Sequence, residues 1–229
     1  GLDGKSLYEL FESEGVDSSA GVPTVWLGLI QYLKQHGLGF STLKVTTIGG
    51  AAVPESMITT LQNDYGVRVR HGWGMTEMSP VGTIGSPKAK HATLPPEDLL
   101  ALSLKQGRPL YGVEMKIVDA QGRDLPNDGV ATGNVLVRGP WVVRDYYESG
   151  APSPLTPDGW FPTGDVGSLD PDGYLQITDR SKDVIKSGGE WISSIEIENI
   201  AMGHPDVVEA SVIGVPDPRW DERPLACVV

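Results

Sequence analysis

The N-terminal part of the chain alternates between helical and extended apolar patterns, and this alternation restricts the fold more than any other feature. Apolar residues recur with helical spacing before Gly15, and again between Pro23 and Gly37, where proline can start a helix and glycine can end one. The extended runs LKVTTIGG and VRVRHGWG flank a helical PESMITTLQNDYG. Strands and helices alternating at this spacing predict a parallel sheet, hence an α/β fold.

The pattern changes after a polar loop, SPKAKHATLPP, and a short predicted helix, EDLLALSL. Three strand-like runs follow, VEMKIVD, GNVLVRG and YLQITD, with turn signals at Asp128-Gly129 and Asp172-Gly173. They predict a β-rich, barrel-like subdomain. A helical SSIEIENIAMG and two further strands then predict the start of a small α+β domain. The domain bounds we predict are 1–105, 106–179 and 180–229.

Charge and composition exclude several classes of protein. The chain has 18 basic and 30 acidic residues, a net charge of −12, which argues against general binding to nucleic acid or anionic membranes. We find no apolar run near the roughly 20 residues that span a bilayer. The four histidines show no metal-ligand spacing. The one cysteine, Cys227, cannot form an internal disulfide, so we expect a reducing, cytoplasmic location and a place for Cys227 in the core.

Three short segments carry residue types suited to a nucleotide. Residues 72–77, GWGMTE, offer glycines for close backbone approach, an indole face, a hydroxyl and a carboxylate. FPTGD places Asp165 after a Pro-Thr-Gly turn, where it could accept hydrogen bonds from ribose hydroxyls. DRSKDVIKSGGE, residues 179–190, combines three cations with two glycines. Each also has an ordinary structural interpretation: a glycine-rich strand exit, an Asx turn and a solvated hairpin.

Together and in this order, the segments are specific. With IGGAAVP and HPDVVEASVIGVPD, the chain resembles the adenylate-forming superfamily of acyl-CoA synthetases, luciferases and peptide-synthetase adenylation domains over nearly its whole length. GWGMTE and ERPLACVV are most similar to medium- and long-chain fatty acid–CoA ligases, since peptide-synthetase domains usually have Tyr-Gly-Pro-Thr-Glu.

The resemblance implies a role for each matching residue. Thr76 would contact phosphate, Glu77 would hold Mg²⁺, and Lys186 would join them as a catalytic residue. Lys182 would be the hinge of the C-terminal domain, beside the CoA-proximal pair Gly188 and Gly189. The remaining ATP- or AMP-binding positions implied by the resemblance are Gly49, Gly50, Ala51, Gly72, Trp73, Gly74, Met75, Asp165 and Arg180.

The reaction implied is ligation of a fatty acid to coenzyme A, driven by ATP and Mg²⁺ through an acyl-adenylate. Three alternatives stay open. The acid could be aryl or short and sulfur-bearing, or an amino acid loaded on a carrier protein, or the chain could be a nucleotide-binding module without catalysis. We expect small-molecule partners, with neither nucleic acid nor a membrane segment, and leave an oligomer open.

Two features of the family are missing from these 229 residues: the Ser/Thr/Gly-rich phosphate loop, expected upstream, and the adenylating lysine, expected downstream. Because both contribute charge neutralisation at the triphosphate, we expect the chain by itself to be inactive and its parent to be an enzyme.

Overall fold

The structure is a computed structural model that describes residues 1–147, 150, 152–188, 190–204 and 206–229. Its contacts divide the chain into two compact units. Unit 1 comprises residues 1–75 and 81–108, and unit 2 comprises residues 76–80 and 109–229. The domain bounds predicted from sequence stay a prediction. Among the described residues, we find no helix with the length and apolarity needed to cross a membrane.

Unit 1 is organised around a five-stranded sheet in the order β1-β2-β3-β4-β5. The first three strands are parallel, as the sequence predicts, and the fourth pairs antiparallel with the third. The strands are β1 (Ser18–Gly21), β2 (Val45–Gly49), β3 (Arg68–Gly74), β4 (Val81–Ile84) and β5 (Arg108–Pro109).

The first two helices of unit 1 end at the glycines that the sequence predicts. Asp3 caps the first helix by accepting from the Ser6 amide, and Gly15 ends it in the left-handed region at φ 63°. Gly37 ends the second helix in the same way. The helices are α1 (Gly4–Glu14), α2 (Pro23–His36), α3 (Glu55–Thr59), followed by a π-helical turn (Thr60–Asp64), and α4 (Pro96–Leu104).

The core of unit 1 lies between α2 and the parallel strands. Five α2 side chains are predicted to share one helix face, and of these Val25 is half-buried whereas four are buried: Trp26, Leu29, Ile30 and Leu33. They pack in one cluster with Ile48 of β2 and Val69 of β3. Full burial of such a side chain stabilises the folded state by about 1.5–3 kcal/mol, so this face holds α2 on the sheet.

The described residues of unit 2 form two antiparallel sheets and one α-helix. The predicted β-rich region is a meander in the order β6-β7-β8-β9, and the C-terminal strands form a sheet in the order β11-β10-β13-β12. The elements are β6 (Glu114–Val118), β7 (Gly133–Arg138), β8 (Phe161–Leu169), β9 (Leu175–Arg180), β10 (Ile185–Ser187), β11 (Glu190–Ile192), α5 (Ser194–Met202), β12 (Ala210–Asp217) and β13 (Asp221–Val228).

Two local expectations are wrong. Cys227 is exposed rather than in the core. It lies on β13 opposite Ser211, which is also exposed, because no layer of the described chain covers that face of the β12–β13 hairpin. FPTGD does not form a turn between strands but lies within β8, whose pairing shifts by a bulge after Val166. Gly164, at φ 79°, supplies the backbone freedom inside the strand.

His71 links β3 to the last residue of α4. Its side chain is 3% exposed, and Nδ1 lies 3.0 Å from the carbonyl oxygen of Leu104. Burial opposes the charged imidazolium and lowers the pKa of His71 to about 4 from the ordinary 6.5, although the bond to the carbonyl acts in the other direction. The imidazole is therefore neutral in the folded protein at neutral pH.

We predict that unit 1 loses stability as pH falls from 6.5 towards 4. In this window the unfolded chain binds a proton at His71 and the folded chain does not, so the free energy of unfolding falls with pH, by on the order of 3 kcal/mol in all. The measurement is urea unfolding at a series of pH values. His71→Asn, whose amide can replace Nδ1 as a donor, should flatten the dependence.

His36→Asn is the matched control, because His36 also bonds a backbone carbonyl through Nδ1 but is exposed. We expect this variant to keep the pH dependence of the wild type. If the free energy of unfolding changed equally with pH in the wild type and in His71→Asn, His71 would not be the source of the pH dependence.

Candidate functional site

The carboxyl ends of the three parallel strands of unit 1 lie at one edge of the sheet. The register pairs Gly21 of β1 with Ile48, and Gly49 of β2 with Gly72 of β3. The chain therefore leaves β2 at Gly50 beside the point where β3 reaches Trp73. In open parallel sheets this edge is where ligands bind.

Gly49 and Gly72 approach too closely for a side chain on Gly49. A Cβ at Gly49 would lie 2.5 Å from the carbonyl oxygen of Gly72, which is backbone and cannot move aside cheaply. Gly50 follows at φ 87°, in the left-handed region that favours glycine, and the chain turns there towards an exposed Ala51. These positions form a tight backbone turn at the sheet edge.

The GWG part of GWGMTE completes this edge. Trp73 is half-buried and pairs with Thr83 of β4, and the register shifts between Trp73 and Gly74. The bulge ends regular pairing at Gly74 and re-aims the chain before Met75. Gly49, Gly50, Gly72, Trp73 and Gly74 are thus brought together within unit 1.

Thr76 and Glu77 belong by their contacts to unit 2. They lie in a single 3-10 turn, Thr76–Met78, anchored by the fully buried Met78. The Val143 amide donates to the Glu77 carbonyl at 2.7 Å. Thr76 is exposed and Glu77 is half-buried, so both side chains are open to a ligand.

The carboxylate of Glu77 is held by a tyrosine. The hydroxyl of Tyr146 donates to Glu77 Oε1 at 2.9 Å. This hydrogen bond, with smaller contributions from desolvation and the negative charge, raises the pKa of Tyr146 above its ordinary value. The sequence did not identify Tyr146, because the two residues are 69 positions apart and no local pattern joins them.

Asp165 and Arg180 face each other across β8 and β9 as register partners. Asp165 Oδ1 lies 3.9 Å from Arg180 Nε, with 15% of the aspartate side chain exposed and 61% of the arginine side chain. At this distance and exposure the pair adds little to stability. Thr163 shapes the approach: its hydroxyl donates to the Val135 carbonyl at 2.9 Å and accepts from the Asp165 amide at 3.1 Å.

The charged segment after Arg180 starts as an exposed turn that contains Lys182 and continues into the hairpin β10–β11. Lys186 lies on β10 with an exposed side chain, and its amide donates to Glu222 at 2.8 Å. The amide of Gly188, at φ 60°, donates to the Trp220 carbonyl at 2.8 Å. A Cβ at Gly188 would lie 2.7 Å from the Trp220 ring. Gly189 lies outside the described residues.

Beside Gly188 is a groove of about 350 Å³ lined by Ser187, Gly188, Ile192, Trp220, Arg223 and Pro224. The guanidinium carbons of Arg219 and Arg223 lie 5.0 and 5.8 Å from the Trp220 ring centroid. An indole face beside two cations suits a base with phosphates. None of the three motifs includes this cluster, although PDPRWDERP places two arginines around a tryptophan.

Within the described residues there is no group of three or more His, Cys, Asp or Glu side chains that could hold a metal ion. At this site Glu77 offers one carboxylate. This fits Mg²⁺ delivered with a nucleotide, because that ion keeps several waters and takes one or two protein carboxylates alongside phosphate oxygens.

Comparison with known proteins identifies the family. The AMP-binding enzyme family matches residues 2–147, and the AMP-binding enzyme C-terminal domain matches residues 196–229. The chain belongs to the AMP-binding enzyme family. This confirms the adenylate-forming resemblance drawn from the sequence motifs.

Relatives and solved structures agree with the family. The chain is 54% identical to a 3-methylmercaptopropionyl-CoA ligase of Ruegeria lacuscaerulensis and 51% identical to a medium-chain-fatty-acid–CoA ligase of Ectopseudomonas oleovorans. In both cases 100% of this chain covers 42% of the relative, so the chain spans about two fifths of their length. The anthranilate CoA ligase AuaEII, in complex with anthranoyl-AMP, matches over 99% of this chain and 42% of its own, with TM-score 0.83 and 26% identity.

We predict that Gly49→Ala destabilises unit 1 by about 1–3 kcal/mol, because a methyl group cannot fit against the Gly72 backbone without a shift of β2 or β3. Urea unfolding measures the loss. Gly72→Ala is the matched control: its Cβ would meet Thr47 Cγ2 at 3.4 Å, an ordinary contact. A Gly49→Ala chain as stable as Gly72→Ala would show that the close approach does not constrain the turn.

Proposed function

We propose that the full-length protein containing this chain is an ATP-dependent acid–CoA ligase that activates a fatty acid as the acyl-adenylate. The observation that carries the proposal is the pair Asp165 and Arg180, placed opposite each other on β8 and β9 directly before Lys182. A carboxylate and a guanidinium at one sheet position suit a ribose, and the charged turn that follows suits a hinge. Family membership and the two CoA ligases among the relatives support the same reaction.

In the first step, a carboxylate oxygen of the acid attacks the α-phosphorus of Mg-ATP, and pyrophosphate leaves. We assign ribose binding to Asp165 and Arg180, which would hold the nucleoside so that the α-phosphate is presented in line. Thr76 would donate to a phosphate oxygen. Glu77, oriented by the hydroxyl of Tyr146, would be a ligand of the Mg²⁺ that ATP brings. In unit 1, Trp73 and the turn of Gly49, Gly50 and Ala51 would contact adenine.

In the second step, the thiol of coenzyme A attacks the carbonyl carbon of the adenylate, and AMP leaves. We assign Lys182 as a hinge. The part of the chain after Lys182, here called the C-terminal segment, would rotate about it between the two steps and present a different face to the substrate in each. Lys186, Gly188 and Gly189 would then lie on the CoA side. The groove at Trp220 and Arg223 supports CoA over a carrier protein as acceptor, because the nucleotide part of CoA needs an aromatic face and positive charge. The single cysteine of the chain supports a cytoplasmic location.

A second substrate class is favoured by a specific observation. The 3-methylmercaptopropionyl-CoA ligase shares 54% identity with this chain, slightly more than the 51% of the medium-chain ligase. The alternative function is therefore the same reaction on a short sulfur-bearing acid.

We predict that Asp165→Ala in the full-length enzyme weakens ATP binding by roughly 2–5 kcal/mol, because two hydrogen bonds to a charged group are lost at about 1.5–3 kcal/mol each. Isothermal calorimetry measures the affinity, and ATP–pyrophosphate exchange measures the KM for ATP. Asp124→Ala, an exposed aspartate of the same unit paired with Lys116, is the control and should leave both values unchanged. Unaltered ATP affinity in Asp165→Ala would remove that residue from the ribose site.

We predict that the full-length enzyme forms thioesters with octanoate at a kcat/KM above that for 3-methylmercaptopropionate. The measurement is CoA-dependent AMP release with each acid under the same conditions. The reverse order of kcat/KM would establish the short sulfur-bearing acid as the substrate class. AMP release with neither acid, under conditions in which ATP still binds, would favour a nucleotide-binding module.

A further inference from the structure

Asp179 is a carboxylate buried at the end of β9, with 1% of the residue exposed. Its Oδ1 accepts from the Arg180 amide at 2.7 Å. Its Oδ2 accepts from both the amide and the hydroxyl of Ser194, at 2.7 and 3.0 Å. A buried carboxylate is costly unless its oxygens are hydrogen-bonded, and here both are.

A second set of bonds lies beside the first. The hydroxyl of Ser193 donates to the Thr178 carbonyl at 2.6 Å and accepts from the Glu196 amide at 3.1 Å, which makes Ser193 the N-cap of α5. Two consecutive residues of β9 are therefore bonded to two consecutive residues at the start of α5. Asp179 also lies at the positive end of the helix dipole, which favours its charge.

These bonds bridge the segment that the proposed function requires to move. The chain leaves β9 after Arg180, passes through the exposed turn at Lys182 and the β10–β11 hairpin, and reaches α5 at Ser194. The bonds from Asp179 close this segment into a loop. A rotation of the C-terminal segment about Lys182 carries α5 away from β9, so it must break the two bonds from Ser194 to Asp179 and the bond from Ser193 to Thr178.

We propose that the hydrogen-bonded pair Asp179 and Ser194 forms a latch. It holds the C-terminal segment in the orientation seen in the structure, and it sets the equilibrium between the two orientations that the hinge at Lys182 allows. The proposal rests on the proposed function for its hinge at Lys182. Asp179 is a positioning residue, because it acts through the placement of α5 and contacts no reacting atom. When the latch opens, the half-reaction served by the latched arrangement slows and the other half-reaction is favoured.

Three variants open the latch to different degrees. Asp179→Asn keeps the size of the side chain but places an amide NH₂ opposite a donor. Ser194→Pro removes both the amide and the hydroxyl that bond Asp179. Proline is favoured at the first position of a helix, which Ser194 occupies, and the preceding Ser193 already has extended dihedrals (φ −75°, ψ 121°), so α5 should form normally. Ser194→Ala removes the hydroxyl alone and should have an intermediate effect even if the stronger variants fold poorly.

The first test measures the arrangement directly on the 229-residue chain and needs no catalysis. Cys227 is exposed and is the one cysteine of the chain, so it can be labelled together with Gln121→Cys in the exposed turn after β6. Pulsed electron spin resonance gives the distribution of distances between the labels. We expect one narrow distribution of distances in the labelled chain without a latch substitution, and a second population of distances in Asp179→Asn and Ser194→Pro. Glu209→Gln, an exposed carboxylate of the same segment, is the control and should match the parent.

The second test uses the full-length enzyme. ATP–pyrophosphate exchange measures adenylation, and transfer from preformed acyl-adenylate to CoA measures thioester formation. We expect the ratio of the two rates to change about 10- to 100-fold in Asp179→Asn and Ser194→Pro, which corresponds to about 1.4–2.8 kcal/mol in the balance between arrangements. A residue that only stabilised the fold would reduce both rates by the same factor.

An unchanged distance distribution in all three latch variants would overturn the proposal, as would an equal loss of both half-reactions. A wild-type enzyme without pyrophosphate exchange would instead count against the proposed function, and the distance measurement would still decide whether the latch exists.

Discussion

The parallel register of β2 and β3 is the constraint on which the candidate site at the sheet edge of unit 1 depends. Because Gly49 lies directly opposite Gly72, the turn after β2 and the aromatic residue after β3 reach the sheet edge together. The pairing requires a glycine at position 49, since the Gly72 carbonyl occupies the place of a side chain. The apolar face of α2 holds the same strands from behind, through the cluster that contains Ile48 and Val69. Packing and backbone geometry thus act on the same pair of strands.

The motif GWGMTE is continuous in sequence but is divided between the two units. Gly72 to Met75 are held by the sheet of unit 1, whereas Thr76 and Glu77 are held by unit 2 through Met78 and Val143. The proposed adenine and phosphate contacts therefore have different mechanical supports. A substitution that loosens the anchoring of Met78 would disturb Glu77 without touching Trp73, although the two residues are only four positions apart.

Local sequence predicted most of the fold, whereas its assignment of site residues stays a prediction. Helix ends at Gly15 and Gly37, the parallel strands, the β-rich meander and α5 all follow from short-range patterns of apolar spacing, caps and turns. The errors have a different origin. Burial of Cys227 depends on what packs against β13, and the conformation of FPTGD depends on the strands that pair with β8; neither is encoded within a few residues.

The contacts that sequence reasoning did not supply are the long-range polar ones. Tyr146 and Glu77 are 69 positions apart, and Asp179 and Ser194 are 15 apart across a hairpin. Polar side chains in loops and strand ends carry no periodic signal, so only the fold shows which of them meet. The motifs predict residues for a nucleotide site, and the structure adds the hydrogen-bond partners of two of these segments, Tyr146 at Glu77 and Ser194 at Asp179.

The buried imidazole at position 71 has a consequence for how the kinetics of the proposed full-length enzyme should be interpreted. His71 lies one residue before the glycine that pairs with Gly49, so its protonation acts on the strand that positions Trp73. A fall in rate on the acid side of a pH–rate profile would ordinarily be assigned to a titrating catalytic group. In this protein, part of the fall in rate on the acid side would come from loss of the folded scaffold. A rate that recovers slowly after return to neutral pH, rather than at once, would distinguish refolding of the sheet from proton exchange at a catalytic side chain.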